Sequence, residues 1–199
     1  MIIITSPTAI ANEISLIHSL FKEGMMLLHI RKPDFSEEEM NTFVTEIRLE
    51  YRNRLVLHSH HHLAKALVIH RIHFTENNRN ALTRKQLETS KKQDFTLSTS
   101  THSIEDFNEL DPAFDYAFIS PVFTSISKEH YHPKTNLFEQ IKKRTNHKTQ
   151  LIALSGISAD NIRQTLISGF DDVALLGIIW KSSNPIENFK SCQQIALSY

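Results

Sequence analysis

Short apolar runs recur along the chain with helix-patterned segments between them. The runs fall at residues 2–5, 25–30, 54–58, 71–74, 95–99, 115–119, 150–154 and 172–176, which makes eight candidate strands. The intervening segments carry helix-start signals: Ser36-Glu37-Glu38-Glu39 after the second run, Ser158-Ala159-Asp160-Asn161 after the seventh, and Pro185 at the first turn of the last. Strands never group into one block and helices into another, so the order is that of an α/β fold.

Eight units in 199 residues leave about 25 residues each, enough for a strand of about 5, a helix of about 11 and two short connections. The arithmetic predicts a compact (β/α)8 TIM barrel over residues 1–199 as a single domain, in preference to a doubly wound open sheet, which usually has fewer strands.

Composition narrows the functional classes. The 22 basic residues balance 22 acidic ones, which leaves no electrostatic footprint for nucleic acid. No apolar run reaches the roughly 18 residues of a membrane span, and the N-terminus lacks the basic and small-residue signals of a secretory leader. A cytoplasmic protein is expected. Cys192 is the single cysteine, which excludes an intrachain disulfide and a cysteine-based zinc site within one chain. The chain has only 4 glycines but 12 histidines.

In a barrel of this kind, chemistry belongs at the C-terminal ends of the strands. Strand two ends Leu28-His29-Ile30-Arg31, and alternation places His29 and Arg31 on one side, suited to an anionic substrate. Strand three runs into His58-Ser59-His60-His61-His62. A metal site on His58, His60 and His62 needs a continuous strand, whereas Leu63-Ala64-Lys65-Ala66-Leu67 reads as helix, so the rings are expected to diverge and His58 is the candidate. Strand five ends in Ser98-Thr99-Ser100-Thr101-His102-Ser103, where Ser103 reads as a helix N-cap and Ser100 and His102 can reach a ligand. The long loop after strand six carries Ser125, Ser127 and Lys128, hydroxyls and a cation for a phosphate or diphosphate. Strands seven and eight end Ser155-Gly156 and Leu176-Gly177, at the usual phosphate site of this architecture, with glycine allowing backbone N–H groups to approach the anion.

Several segments together resemble the thiamine phosphate synthase/TenI family of short (β/α)8 barrels: HIRKP at 29–33, LAKAL at 63–67, STSTHS at 98–103, DYAFISPVFTSISK at 115–128, ALSGIS at 153–158 and GFDDVALLGII at 169–179. The resemblance implies a thiamine-biosynthesis transferase that joins hydroxymethylpyrimidine diphosphate to thiazole phosphate and releases diphosphate with magnesium assistance. It implies that Arg31, Ser125, Ser127 and Lys128 hold diphosphate, that Ser100 lies near the pyrimidine, and that backbone around Ser155, Gly156, Leu176 and Gly177 holds thiazole phosphate. Small phosphorylated molecules are the implied partners, and a homo-oligomer stays open. The chain departs from the synthase pattern at His29, Pro33, His58-Ser59 and Asn78. The two aspartates that ligate magnesium are Ser59 and Asn78 here, leaving Glu76 as a substitute carboxylate beside Asn78. The HIR segment and the lost aspartates resemble the TenI branch, which includes metal-free thiazole tautomerases, yet the TenI histidine falls at Pro121. His29, His58 and His102 are candidate replacements. A non-catalytic thiazole-phosphate binding protein is the third reading.

Overall fold

The computed structural model describes residues 1–127 and 130–199. Eight parallel strands close into a barrel in sequence order: β1 (Ile2–Ile4), β2 (Leu28–Ile30), β3 (Leu55–Leu57), β4 (Arg71–Phe74), β5 (Thr96–Thr101), β6 (Tyr116–Ile119), β7 (Gln150–Leu154) and β8 (Asp172–Leu175). Closure comes from β1, which pairs with β2 through Ile3–Leu28 and with β8 through Ile3–Leu175. At the N-terminal end of that seam the Met1 ammonium lies 2.6 Å from Asp172.

The helices are α1 (Glu13–Lys22), α2 (Glu37–Glu46), α3 (Glu76–Asn80), α4 (Arg84–Lys92), α5 (Ile104–Asn108), α6 (Leu137–Gln140), α7 (Ala159–Ile167), α8 (Gly177–Trp180) and α9 (Pro185–Ala196). The start signals act as read. Ser36 Oγ accepts from Glu39 N while Ser36 N donates to Glu39 Oε2 at 2.7 Å, a reciprocal cap on α2. Ser158 N donates to Asn161 Oδ1 at 3.0 Å, and Ser103 Oγ caps α5 through Asp106 N. The segment after β3 differs from expectation. Instead of a helix over 63–67 there is one 3-10 turn, His61–Leu63, followed by turns that end at Val68 with φ 60°. The interval to β4 is short, and Ala64 and Leu67 are buried there without a full helix.

Strand alternation divides the core in two. Ile3, Leu28, Ile30, Leu55, Leu57, Leu97, Ala117, Leu151 and Val173 join one apolar cluster with helix residues such as Leu20, Phe43 and Phe189, so they form the layer between barrel and helices. A separate cluster of Ile2, Ile4, Tyr116, Phe118, Ile152 and Ala174 fills the barrel itself. Those residues come from β1, β6, β7 and β8. The inward positions of β2, β4 and β5 hold His29, His73, Ser98 and Ser100, while β3 contributes Val56, paired with His29, and His58 just past its end, so the barrel interior has an apolar half and a half rich in imidazoles. Among the described residues no helix is long and apolar enough to cross a membrane.

Candidate active site

The polar half of the interior is a connected array. His29, on β2 and fully buried, places Nδ1 2.8 Å from His58 Nε2 and Nε2 2.7 Å from the Tyr116 hydroxyl. His73, on β4, bonds Ser98 Oγ through Nδ1 at 2.9 Å and Ser100 Oγ through Nε2 at 3.0 Å. The His58 and His73 rings stack at 4.1 Å with planes 24° apart, and Phe118 packs against both His29 and His73. His29 and His73 are sealed, while His58 and Ser100 at the strand tips are partly exposed.

Burial keeps these imidazoles uncharged. It holds His29 and His58 well below the usual histidine range, with His73 adding to both, and pushes His73 down to about 3. The Arg31 charge acts in the same direction on His58 and His73. Burial pushes the Tyr116 phenol up, so it stays a hydroxyl. Arg31 itself is exposed, and its backbone is fixed by Arg31 N donating to Thr5 Oγ1 at 2.8 Å. The neighbouring Lys32 is a structural cation: it is buried, reaches Glu13 at 2.6 and 2.8 Å and donates to Thr8 O.

The second part of the mouth is the corner of β6, β7 and β8. The loop after β6 is tied to β7 by Val122 N to Leu154 O, Phe123 N to Ser155 O and Ser155 Oγ to Phe123 O at 3.0 Å. Gly156 has φ +67°, and a Cβ there would meet Thr124 O at 2.4 Å and Phe123 Cβ at 2.6 Å. A Cβ on Gly177 would meet Ile126 Cβ at 2.8 Å and Ser127 N at 3.0 Å. Both glycines are therefore required by the loop seated on them; the space that sequence reading reserved for an approaching anion is filled by the chain itself. The Ser155 hydroxyl is likewise committed to this loop. Ser125 and Ser127 sit side by side, with Ser127 N donating to Ser125 Oγ at 3.3 Å. Among the described residues the N–H groups of Gly156, Ile157, Gly177 and Ile178 find no acceptor, and Leu176 is the N-cap of α8. With the two serines they are hydrogen-bond donors of the kind an anion such as phosphate would need.

The remaining candidates are dispersed. His102 is exposed, its Nδ1 2.7 Å from Ser120 O and its Nε2 3.8 Å from Glu76. Glu76 also lies 4.0 Å from Arg79, and Asn78 is exposed on α3. Ser59 Oγ is buried with no partner among the described residues. His60 bonds Phe35 O and His62 lies 3.0 Å from Glu37, so those rings leave the strand in different directions and do not join His58. Lys128 lies outside the described residues. Sequence reading missed His73, Ser98 and Tyr116 because it took only strand ends; extending the alternation inward from Ser100 to Ser98, along β4 to His73 and along β6 to Tyr116 would have found them. It also missed Arg79, which binds Asp106 at 2.7 and 2.9 Å and donates to Ser100 O, fixing the end of β5.

Comparison with known proteins gives a consistent result. A family model described as thiamine monophosphate synthase matches residues 1–179. A thiamine-phosphate synthase of Dictyoglomus thermophilum is 26% identical over 197 residues, covering 94% of this chain and 84% of the relative. One from Koribacter versatilis is 28% identical over 158 residues, covering 77% and 72%. Among solved structures, a thiamine phosphate pyrophosphorylase from Bacteroides thetaiotaomicron superposes with TM-score 0.76 at 28% identity, covering 98% of this chain and 96% of that one. A Pyrococcus furiosus structure of the same description reaches TM-score 0.79 at 17% identity over 99% and 95% of the two chains, which speaks to fold alone.

Proposed function

Since the chain belongs to the thiamine monophosphate synthase family, we propose that it joins a pyrimidine diphosphate to thiazole phosphate with release of diphosphate. The observation that carries this reading is the β6–β7–β8 corner, where the loop bearing Ser125 and Ser127 is locked onto Gly156 and Gly177 beside backbone donors that have no acceptor among the described residues. That corner suits the phosphate of the thiazole. Arg31, exposed at the end of β2, supplies fixed positive charge for the diphosphate. Its carbon–oxygen bond breaks with the electron pair passing to the leaving oxygen, and the thiazole nitrogen forms the new bond to that carbon; cations and hydrogen-bond donors at the leaving group stabilise the developing charge.

Magnesium fits this donor set poorly. It favours octahedral oxygen ligands with one or two carboxylates. Ser59 offers a neutral hydroxyl, Asn78 an exposed amide, and Glu76 shares its surroundings with Arg79 and His102. The test is formation of thiamine phosphate from the two substrates, with magnesium and with chelator. Product accumulating in proportion to enzyme is expected; none at high enzyme concentration under either condition overturns the reading.

A second reading has its own support. The three uncharged imidazoles grouped beneath the mouth, in a site poor in carboxylates, suit a thiazole tautomerase, whose chemistry is proton transfer without a metal. Interconversion of thiazole phosphate isomers no faster than in buffer would eliminate it. Ligand binding with neither turnover would leave a binding protein.

A further inference from the structure

The imidazole half of the barrel contains two hydrogen-bonded arms, and each ends at the mouth. One runs from Ser100 Oγ to His73 Nε2 at 3.0 Å and from His73 Nδ1 to Ser98 Oγ at 2.9 Å. The other runs from the Tyr116 hydroxyl to His29 Nε2 at 2.7 Å and from His29 Nδ1 to His58 Nε2 at 2.8 Å. Ser98 and Tyr116 face each other as register partners on β5 and β6 at the bottom; the Ser98 hydroxyl, which makes a long 3.4 Å bond to Ile72 O, joins the arms when it turns to the Tyr116 hydroxyl. Ser100 and His58 are the partly exposed members. Among the described residues His58 Nδ1 has no partner, and it is not one of the buried orphaned atoms.

We propose that Ser100, His73, Ser98, Tyr116, His29 and His58 form one U-shaped proton wire that takes a proton from one position of a bound heterocycle and returns one to another. This rests on the tautomerase reading and names the groups that would perform it. Each hydroxyl donates one bond and accepts one, and each imidazole carries one proton. In the starting state Ser100 donates to His73 Nε2, His73 Nδ1–H to Ser98, Ser98 to Tyr116, Tyr116 to His29 Nε2, and His29 Nδ1–H to His58 Nε2. His58 Nδ1–H then faces the ligand. When Ser100 receives a proton from the substrate, every bond in the series shifts by one proton, and His58 Nδ1 delivers a proton to the substrate. One proton enters and one leaves. Every group ends neutral, with all three histidines in the opposite tautomer and all five hydrogen bonds of the series reversed.

The same three histidines have nitrogens within 4.8 Å of one another, the grouping of a metal site. Two features favour the wire. The His29 and His58 nitrogens are 2.8 Å apart, whereas two nitrogens each about 2.0–2.1 Å from tetrahedral zinc stand roughly 3.3 Å apart. The stacked His58 and His73 rings, 24° from parallel at 4.1 Å, direct their in-plane lone pairs along separate, nearly parallel planes rather than at a common point. His58 and Ser100 are the catalytic ends; the four inner groups act through them.

Tyr116→Phe cuts the wire at its deepest point without altering the mouth. Thiazole phosphate isomer interconversion followed by NMR is expected to fall about 100-fold, with KM within about twofold. Ser98→Ala, a smaller change, is the second cut and is expected to act alike. Independently of turnover, ¹⁵N NMR of labelled imidazoles should show His58 and His73 changing tautomer populations in Tyr116→Phe. Rates within twofold of wild type in both variants overturn the wire, as do unchanged ¹⁵N signals of His58 and His73 in Tyr116→Phe. One equivalent of zinc in the purified protein by elemental analysis also overturns it. If the wild type leaves thiazole phosphate unchanged while the ¹⁵N signals respond, the tautomerase reading falls and the wire stands.

Discussion

Replacing Gly156 by alanine tests whether the phosphate corner depends on a loop seated against a bare Cα. The added Cβ would stand 2.4 Å from Thr124 O and 2.6 Å from Phe123 Cβ, where real Cβ atoms essentially never come closer than 3.0 Å. The loop must retreat by at least about 0.6 Å, the difference between those two limits at Thr124. The obstructing atoms are backbone and a ring-bearing Cβ, so no flexible side-chain end can absorb the shift. A non-glycine residue at φ +67° adds roughly 1–2 kcal/mol of backbone strain. With some steric relief, a total destabilisation of about 2–3 kcal/mol lowers the melting temperature by roughly 4–12 °C for a domain of this size. Ser125 and Ser127 move with the loop, and displacement approaching 1 Å can cost about 100-fold where donors must meet an anion in a fixed geometry. Calorimetric titration with thiazole phosphate should therefore show affinity weakened by about 10-fold or more at a temperature where the variant is folded. Binding within twofold of wild type would refute the idea that this packing positions the phosphate donors.

Four other outcomes follow from the same geometry. Lys32→Met leaves the Glu13 carboxylate buried without its partner and should destabilise by about 3–5 kcal/mol, whereas adding Glu13→Leu should recover much of the loss; a single variant that melts like wild type would show the pair to be dispensable. Arg31→Ala should weaken inorganic diphosphate binding by roughly 10- to 100-fold, the worth of a charge-assisted hydrogen bond, with the melting temperature unchanged because the side chain is exposed; equal affinity would remove Arg31 from the anion site. Arg79→Met should loosen the β5 end that it holds through Asp106 and Ser100 O, lowering turnover more than it raises KM, and unchanged kinetics would refute that role. His73 is held down to about 3 in the folded chain, so from about pH 6.5 downward the unfolded chain binds a proton that the native one refuses. Stability should fall with decreasing pH between those limits, by about 1.4 kcal/mol per unit from this residue, with His29 and His58 acting in the same direction. Chemical denaturation showing no slope between pH 6.5 and 4.5, or the same slope in His73→Gln, would contradict the buried neutral array.

The eight strands were legible because each is a short apolar run with its own boundary signals, and helix caps such as Ser36 and Ser103 are local hydrogen-bonding devices that need no tertiary partner. The segment at 63–67 misled for the converse reason. Its composition favours helix, but the short interval between β3 and β4 and the burial of Ala64 and Leu67 decide its path. Glycine placement was readable, its purpose was not: Gly156 and Gly177 are near-contacts of a loop more than 30 residues or more than 50 residues earlier in the chain, a relation no spacing rule contains.

The sequence by itself determined the barrel, the order of its elements and the clustering of histidines, because periodicity and capping are properties of neighbouring residues. Only the tertiary structure decided which histidines meet. His29, His58 and His73 come from three successive strands, and they converge because parallel pairing and inward alternation bring distant positions into the same barrel interior. His60 and His62, adjacent in sequence to His58, are carried away by the turn at φ 52°. Tyr116 reaches His29 from the other side of the barrel, and burial there strips charge from the imidazoles, which converts a surplus of titratable residues into a neutral hydrogen-bonded array.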